Sequence, residues 1–513
     1  MRWLTPILAA LAMLGTTGRG AAAGEPDAAE LAALIDRHIE SRLAAEGLRP
    51  AADADDAEFL RRVYLDLHGV IPTAEQAARF LDDTDPAKRA RLIDALLSDP
   101  RYGEHLADVW QGYLVSPLAD DRWARADRLR RWLADRFNTR TWDRIATELL
   151  TATGKIDENP AVVYLVEGRL PRTVPDLTDL TSRYFLGIRL NCAQCHDHPF
   201  VAWKRQDFWG MAAFFTQIQT PGKSKLVYQV GLKDYPEVTL DSLKDGTPDG
   251  FLSRPPTFLG GGELAAGKGA TNRAALAAWM TAPQNPYFAR AMANRTWWRL
   301  FGRGIVNPVD DMHAANPPSH PELLDLLARR FAEGGFDLKF LTRAIVSSRA
   351  YQRTSQPGGA SEKQAALFGR MSVKVLSAGQ LHDSLAAVFG PPAKTPGADP
   401  RQSARAEFTQ FFGEDGSPDP TAYRRGIPHL VRQMNSGQFA GRNLPALAAR
   451  VAKPGRSADD VAGELFLAIL SRRPTADEQK LFRDHAARVG SVEPAARELA
   501  WALMMTSEFS LNH

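Results

Sequence analysis

Apolar residues recur at helical spacing along most of this chain, and this periodicity constrains its fold more than any other feature. Such stripes are typical of amphipathic helices that bury one face against a core. The clearest stripes are Leu31, Leu34, Ile35, Ile39 and Leu43; Leu92, Ile93, Leu96 and Leu97; Leu106, Val109, Trp110 and Tyr113; Leu129, Trp132, Leu133 and Phe137; and Leu177, Leu180, Tyr184 and Phe185. The 513 residues include only two cysteines, so burial and not a disulfide framework must hold the helices together. The sequence therefore predicts a mostly α fold.

Residues 220–269 break the helical pattern and predict a boundary between two helical domains. This segment is rich in Gly, Pro, Lys and Asp, and three consecutive glycines lie near its end. Within it, apolar residues alternate over 226–232, which indicates a strand. We therefore expect an N-terminal helical domain over 24–219, a linker with a small β element over 220–269, and a C-terminal helical domain over 270–513. Prolines between 390 and 420 predict a further loop or subdomain boundary.

The first 23 residues have the pattern of a secretory signal peptide. Arg2 precedes an apolar run from Leu4 to Leu14, and small residues at 21–23 provide a cleavage site. The run is short for a membrane span, which favours cleavage over an uncleaved anchor. We therefore predict an exported protein, periplasmic or secreted, with no integral membrane segment after cleavage. The 63 basic and 60 acidic residues create no large positive field, so nucleic acid is not an expected partner.

Two Pro-Thr pairs predict where helices begin. Thr73 is followed three residues later by Gln76, and Thr475 is followed at the same spacing by Glu478. In this arrangement the Thr hydroxyl and the longer side chain each accept a hydrogen bond from the other residue's backbone N–H, which makes a capping box. We therefore interpret both motifs as the starts of helices and not as catalytic or binding motifs.

Both cysteines lie in one motif, CAQCHDHPF, over residues 192–200. The spacing Cys192, Cys195 and His196 is the C-x-x-C-H pattern of c-type haem attachment. In that chemistry the two thiols form thioethers to the haem vinyl groups, and the adjacent imidazole is the proximal ligand of the iron. The motif therefore predicts covalently attached haem c, which agrees with export because this haem is attached outside the cytoplasm.

Two other interpretations of this motif stay open. Cys192 and Cys195 form a plausible disulfide in an oxidising compartment, either structural or redox-active. Together with His196 and His198 they also supply two thiolates and two imidazoles, a donor set suited to zinc or iron. Such close spacing strains a loop around a single ion, so that site would need a ligand from elsewhere.

A bound haem also needs an apolar pocket and a sixth ligand. The residues after the motif offer apolar side chains for such a pocket, although the same residues would serve equally well in a protein core; they are Trp203, Phe208, Met211, Ala212 and Phe215. The candidates for the sixth ligand are Met211, His313 and His320.

A second group of polar residues lies in the C-terminal half. Asp310, Asp311, His313 and His320 offer carboxylate and imidazole ligands for a metal, and Arg295 offers a partner for an anion. This group suggests a metal-dependent hydrolase.

The structural interpretation of the same residues is favoured. Ser319 is well placed to cap a helix that begins near Pro321, and Glu322 would close a capping box. Asp310 and Asp311 would then pair with Arg295 or Arg303 and hold two helices together.

Several motifs together resemble a pair of cytochrome-associated domains of unknown function that occur in exported planctomycete proteins. The first domain is similar over RVYLDLHG at 62–69 and, above all, over CAQCHDHPF at 192–200. The second is similar over NPYFA at 285–289, FGRG at 301–304 and NPPSHPELLD at 316–325. The resemblance covers nearly all of the chain after residue 23.

The resemblance implies an exported, mostly helical protein with a haem-c-like motif, and it implies no reaction. It also implies a cytochrome or an exported sulfatase-like protein as partner, and so suggests work on extracellular polysaccharide. The leading hypothesis is electron transfer by a single haem c. The alternatives are a non-haem binding or scaffold protein with a Cys192–Cys195 disulfide, and the metal-dependent hydrolase.

Overall fold

The structure is a computed structural model that describes residues 27–115, 123–167, 170–171, 173–219, 231–234, 255–264, 271–356, 362–389, 405, 408–409 and 443–513. The predicted signal peptide lies outside these residues, as do the predicted strand residues 226–230. Within the described part, the fold is mostly α, as the apolar stripes predict.

The N-terminal half of the chain is mainly helical. They are α1 (Ala28–Ala45), α2 (Asp56–His68), α3 (Ala74–Asp82), α4 (Lys88–Ser98), α5 (Arg101–Leu114), α6 (Trp123–Thr139), α7 (Trp142–Leu150), α8 (Val174–Leu186) and α9 (Arg205–Ala212). Three short 3₁₀ turns join them at Pro160–Leu165, Asn191–Gln194 and Ala213–Phe215. The predicted stripes lie in these helices; in α1, for example, Leu31, Ile35, Ile39 and Leu43 are buried.

The C-terminal half is also helical. Its helices are α10 (Asn272–Met280), α11 (Phe288–Phe301), α12 (Pro321–Glu333), α13 (Leu338–Ser347), α14 (Arg349–Gln352), α15 (Glu362–Ala366), α16 (Ala378–Phe389), α17 (Asn443–Val451), α18 (Ala458–Leu470), α19 (Ala476–Val489), α20 (Val492–Met504) and α21 (Ser507–Ser510).

The strands are short and antiparallel. They are β1 (Gly154–Lys155), β2 (Val166–Glu167), β3 (Leu170–Pro171), β4 (Ile218–Gln219), β5 (Gly231–Asp234), β6 (Lys374–Val375) and β7 (Leu511–Asn512). Strand β5 lies between β1 and β4, whereas β2 pairs with β3 and β6 pairs with β7. A small β element therefore accompanies the segment in which the sequence predicts one.

Local capping fixes several helix ends as the sequence predicts. Both capping boxes are present, Thr73 with Gln76 at α3 and Thr475 with Glu478 at α19. The prediction for Ser319 is wrong, because His320 occupies the N-cap position of α12 and makes no side-chain cap. The Ser319 hydroxyl lies instead 3.2 Å from the carbonyl oxygen of Ile305, so a contact distant in sequence competes with the local cap.

Two hydrophobic cores organise the described residues. The larger core is formed by buried side chains from Leu31 to Met371, together with Leu467, and therefore includes residues from both sides of the 220–269 segment. The smaller core is formed mainly by residues from Leu376 to Phe509. The packing thus divides the chain near residue 375. The predicted division at 220–269 stays a prediction about domain boundaries.

Candidate functional site

The cysteine motif lies in the connection between α8 and α9. Helix α8 ends at Gly187, whose φ of +70° is a left-handed conformation that glycine adopts without strain. A side chain at this position would also meet Met312 and Ala291, so glycine fits sterically as well. The chain then enters the 3₁₀ turn Asn191–Gln194, which contains Cys192 and leads directly into Cys195.

The two thiols are free and exposed to solvent. Cys192 lies within the 3₁₀ turn, and Cys195 directly follows its last residue. Ala193, between the two cysteines, is buried.

The imidazole of His196 is also exposed, and one of its nitrogens is engaged. Its Nδ1 lies 2.8 Å from the backbone carbonyl oxygen of Asp197. Because a carbonyl oxygen only accepts, Nδ1 must carry the proton, and Nε2 is left as the acceptor atom of the neutral ring. This is the arrangement that metal-binding histidines commonly adopt.

His198 has the opposite arrangement. Its Nδ1 accepts a hydrogen bond of 3.2 Å from the backbone N–H of Phe200, so the neutral ring carries its proton on Nε2. Its own backbone N–H donates to the carbonyl oxygen of Trp203 at 2.8 Å. Both ring nitrogens of neutral His198 are therefore unsuited to bind a metal. The hydrogen bonds of this residue to Phe200 and Trp203 instead stabilise the loop.

Hydrogen bonds tie the motif to α9. The indole N–H of Trp209 donates to the carbonyl oxygen of Gln194 at 3.1 Å, and the backbone N–H of Arg205 donates to the Asp197 carboxylate at 2.8 Å. Trp209 is fully buried, so the exposed motif is attached to a helix that is fixed in the core.

The residues predicted as a haem pocket belong to this core. Phe208, Met211, Ala212 and Phe215 are fully buried and pack within the larger hydrophobic cluster, and Trp203 packs against it. These side chains are part of the protein core and so do not form a haem pocket. Met211 is among them, so its side chain is buried and is not available as a ligand at the exposed motif. The apolar side chain that the loop does expose is Phe200, at 83%.

Asp310 in the second polar group is an ion-pair residue. It is buried and pairs with Arg295, which is also buried, and with Arg183 at 3.2 Å. The Arg295 guanidinium also lies over the rings of Tyr113 and Tyr184, at 5.2 Å from each centroid. The predicted pairing of Asp310 with Arg295 is confirmed, and it joins α5, α8 and α11.

Asp311 and His313 form a local turn beside this cluster. Their side chains approach to 3.4 Å, and Asn316 donates to the Asp311 carbonyl oxygen at 2.9 Å. The backbone N–H of the intervening Met312 donates to the carbonyl oxygen of Gly187 at 3.0 Å. The fold therefore brings this segment onto the turn that leads into the cysteine motif.

His320 lies apart from the other candidate ligands, in the core. It is 3% exposed, its Nδ1 lies 3.0 Å from the Ser319 hydroxyl, and its ring packs against Phe368. Burial, together with the positive charges of Arg42 and His38, lowers its pKa to about 4. This histidine is therefore neutral near neutral pH.

The described residues do not support a site for a bare metal ion. No group of three or more His, Cys, Asp or Glu side chains among them is arranged to hold one. This applies to Cys192, Cys195, His196 and His198, and equally to the group of Asp310, Asp311, His313 and His320.

A buried cluster around Asp66 in α2 is not predictable from the sequence. Its carboxylate accepts hydrogen bonds from Lys374 at 2.6 Å, Tyr351 at 2.8 Å and Asn512 at 2.7 Å. The hint in the sequence is that Asp66 stands between the apolar residues Leu65 and Leu67 in this helix. The three donors are hundreds of positions away, so local patterns do not reveal them.

Comparisons with known proteins identify two domains. Residues 34–220 match the family model PSCyt2, a protein of unknown function (DUF1549), and residues 272–439 match PSD1, a protein of unknown function (DUF1553). No curated protein and no solved structure matches the chain. Within the described residues, every helix is too short or too polar to cross a membrane. The chain therefore contains, in tandem, one region that matches the PSCyt2 domain and a second that matches the PSD1 domain, both of unknown function.

Proposed function

We propose that this chain is an exported electron-transfer protein that carries a single haem c at its cysteine motif. Cys192 and Cys195 attach the haem, and His196 is the proximal ligand. The observation that carries the proposal is that both thiols of the C-x-x-C-H motif are free and exposed, while the Nδ1 of the adjacent His196 is bonded to a carbonyl oxygen. The family name PSCyt2, which refers to cytochromes, agrees with this function.

The arrangement of donors favours haem over a bare ion. A tetrahedral metal site needs its ligands to converge on one point, and these four side chains do not converge. Haem c has no such requirement, because the two sulfur atoms bond to the edge of the porphyrin and only the imidazole faces the iron. Two thiols and one imidazole are the donor types that haem c attachment uses, which supports haem over zinc.

Exposure of the motif determines how such a haem would work. When bound, the group supplies one-electron transfer. The side chains of Phe208, Trp209 and Met211 in α9 are buried in the core, so they offer no internal pocket. Cys192, Cys195 and His196 would hold the group at the solvent-exposed loop, where a docking partner would have access to it. A cytochrome is such a partner, and export to the periplasm or cell exterior brings the two together.

Spectroscopy and mass spectrometry test this proposal. The chain is produced in a host with a haem-attachment system and purified in its native state for spectra of axial ligation, and a portion is then denatured for the haemochrome and mass measurements. We expect a pyridine haemochrome spectrum and an intact mass increased by one covalently bound haem. Cys192→Ser with Cys195→Ser should abolish both signals. His196→Gln should retain the thioethers and alter axial ligation, whereas the matched control His198→Gln should leave axial ligation unchanged.

The alternative is a redox-active dithiol, which the exposure of both thiols also favours. A chain without haem absorbance, and with a mass about 2 Da below that of the reduced chain, contains the disulfide instead. That result would overturn the haem proposal. The described residues offer no metal cluster for the hydrolase alternative, so we do not propose that activity.

A further inference from the structure

Asp197 makes two hydrogen bonds that point in different directions. Its backbone carbonyl oxygen accepts from the Nδ1 of His196 at 2.8 Å. Its carboxylate accepts from the backbone N–H of Arg205 at 2.8 Å. Arg205 is the first residue of α9, so one amino acid connects the imidazole of His196 to the start of a helix.

Helix α9 is a rigid anchor for this connection. Phe208, Trp209 and Met211 on this helix are fully buried in the core. The Asp197 carboxylate also sits at the positive end of the helix, which stabilises its negative charge. Trp209 and Gln194 tie the preceding 3₁₀ turn to the same helix, but this bond lies on the cysteine side of the motif. Among the hydrogen bonds described above, only those of Asp197 link the His196 ring to α9.

We propose that Asp197 is a positioning residue for His196: by holding its own peptide against α9, it keeps the imidazole in the Nδ1–H tautomer with Nε2 available to the iron. This inference rests on the proposed function for its biological purpose. The geometry itself belongs to the protein without haem, because the hydrogen bonds of Asp197 involve only this chain.

The chain offers a matched control at the same helix end. The Asp207 carboxylate accepts from the backbone N–H of Lys204 at 2.8 Å. Asp207→Ala therefore removes a carboxylate, and a capping bond of the same length, from the start of α9. It leaves the Asp197 carboxylate bonded to the start of the helix, and with it the Asp197 carbonyl group that accepts from the His196 ring. A difference between Asp197→Ala and Asp207→Ala therefore reports on positioning of the imidazole and not on loss of a helix cap.

The first test uses the full chain without haem, labelled with ¹⁵N-histidine. The chain contains 11 histidines, and the His196 signals are assigned from their loss in His196→Gln. Nitrogen shifts report which ring atom carries the proton. We expect Nδ1–H in the wild type and in Asp207→Ala. In Asp197→Ala, loss of one capping hydrogen bond should lower the ratio of the ordered to the disordered population of the loop about fivefold. The His196 ring should then populate both the Nδ1–H and the Nε2–H tautomer.

The second test uses the haem-loaded chain. Asp197→Ala should attach haem in the same yield, because both thiols are intact, but its reduction potential and axial-ligand absorption should shift relative to Asp207→Ala. Asp197→Asn retains an oxygen that accepts from Arg205, so it should restore the wild-type spectrum and tautomer.

The outcomes separate the two proposals. Absence of haem in the wild type overturns the proposed function, while the nitrogen shifts still decide the role of Asp197. If Asp197→Ala and Asp207→Ala give the same tautomer ratio, the positioning role is wrong. If Asp197→Ala fails to fold, the Asp197→Asn variant provides the test. The wild-type tautomer of His196 in that variant supports the positioning role of Asp197, and a mixture of both tautomers overturns it.

Discussion

Replacing Asp66 by Asn should strongly destabilise the protein, because it removes the counterion of a buried lysine. Asp66 is 4% exposed and Lys374 is 5% exposed. The Nζ of Lys374 lies 2.6 Å from the Asp66 carboxylate and also donates to the carbonyl oxygen of Leu300 at 2.7 Å. The asparagine side chain keeps the size of the aspartate but provides no negative charge, so the ammonium group is left in the core with only neutral acceptors.

The magnitude follows from the burial of both partners. Removing one member of a buried ion pair costs about 3–5 kcal/mol, mostly because the other charge stays desolvated. The double variant Asp66→Asn with Lys374→Met leaves no charge behind, so it should cost less than the sum of the two single variants. We expect this coupling energy to be about 1–3 kcal/mol, as for other side chains in direct contact.

The loss of unfolding free energy in Asp66→Asn should also depend on pH. Burial lowers the pKa of Lys374, and Asp66 partly opposes this shift. Without Asp66 the pKa of Lys374 falls further below its value in the unfolded chain. Between these two values the folded protein has released the proton while the unfolded chain still holds it, so stability rises with pH. The difference between Asp66→Asn and the wild type should therefore shrink as the pH rises towards the pKa of an ordinary lysine, about 10.4.

Urea unfolding followed by tryptophan fluorescence measures these quantities, since the chain has 11 tryptophans. The wild type, both single variants and the double variant are compared near neutral pH and again in alkaline buffer. A loss below about 1 kcal/mol for Asp66→Asn, or single-variant losses that simply add, would refute the view that the pair is buried and coupled.

Two further predictions concern stability. Gly69→Ala and Gly47→Ala both place a side chain at positive φ, +68° and +67°, but only at Gly69 would the new methyl group overlap a side chain, that of His105. In thermal unfolding, Gly69→Ala should therefore cost about 1–3 kcal/mol more than Gly47→Ala, and equal losses would contradict the packing. The buried His320 has its pKa lowered to about 4 from 6.5, so the wild type should lose stability as pH falls between these values. His320→Gln should flatten that dependence in urea titrations, and an unchanged slope would show that other groups cause it.

Local features were predictable because neighbours in sequence decide them. The buried face of α1 follows from the spacing of Leu31, Ile35 and Ile39, and the capping boxes at Thr73 and Thr475 need only residues three positions away. Ser319 was predicted wrongly for the opposite reason, since its hydroxyl lies by Ile305, fourteen positions earlier.

The candidate site shows the same division. Spacing alone identified Cys192, Cys195 and His196 as a possible haem attachment site. It did not reveal that the apolar residues after the motif are buried core, because one apolar stripe suits a pocket and a core equally well. It also missed Asp197, whose role depends on where α9 begins relative to a loop that folds back on it.

The sequence by itself determined the helical character of this protein and the spacing of the thiols and imidazole in its cysteine motif, because periodicity and spacing act over a few residues. Only the tertiary structure decided the partners of the buried charges. Arg183 and Asp310 are 127 positions apart, and Asp66 and Lys374 are 308 positions apart. A charged residue within a helix that is buried requires a counterion, but the residues next to it in sequence do not indicate which residue that counterion is. The choice is made when the helices pack, because only then is each charge removed from water and brought next to its counterion.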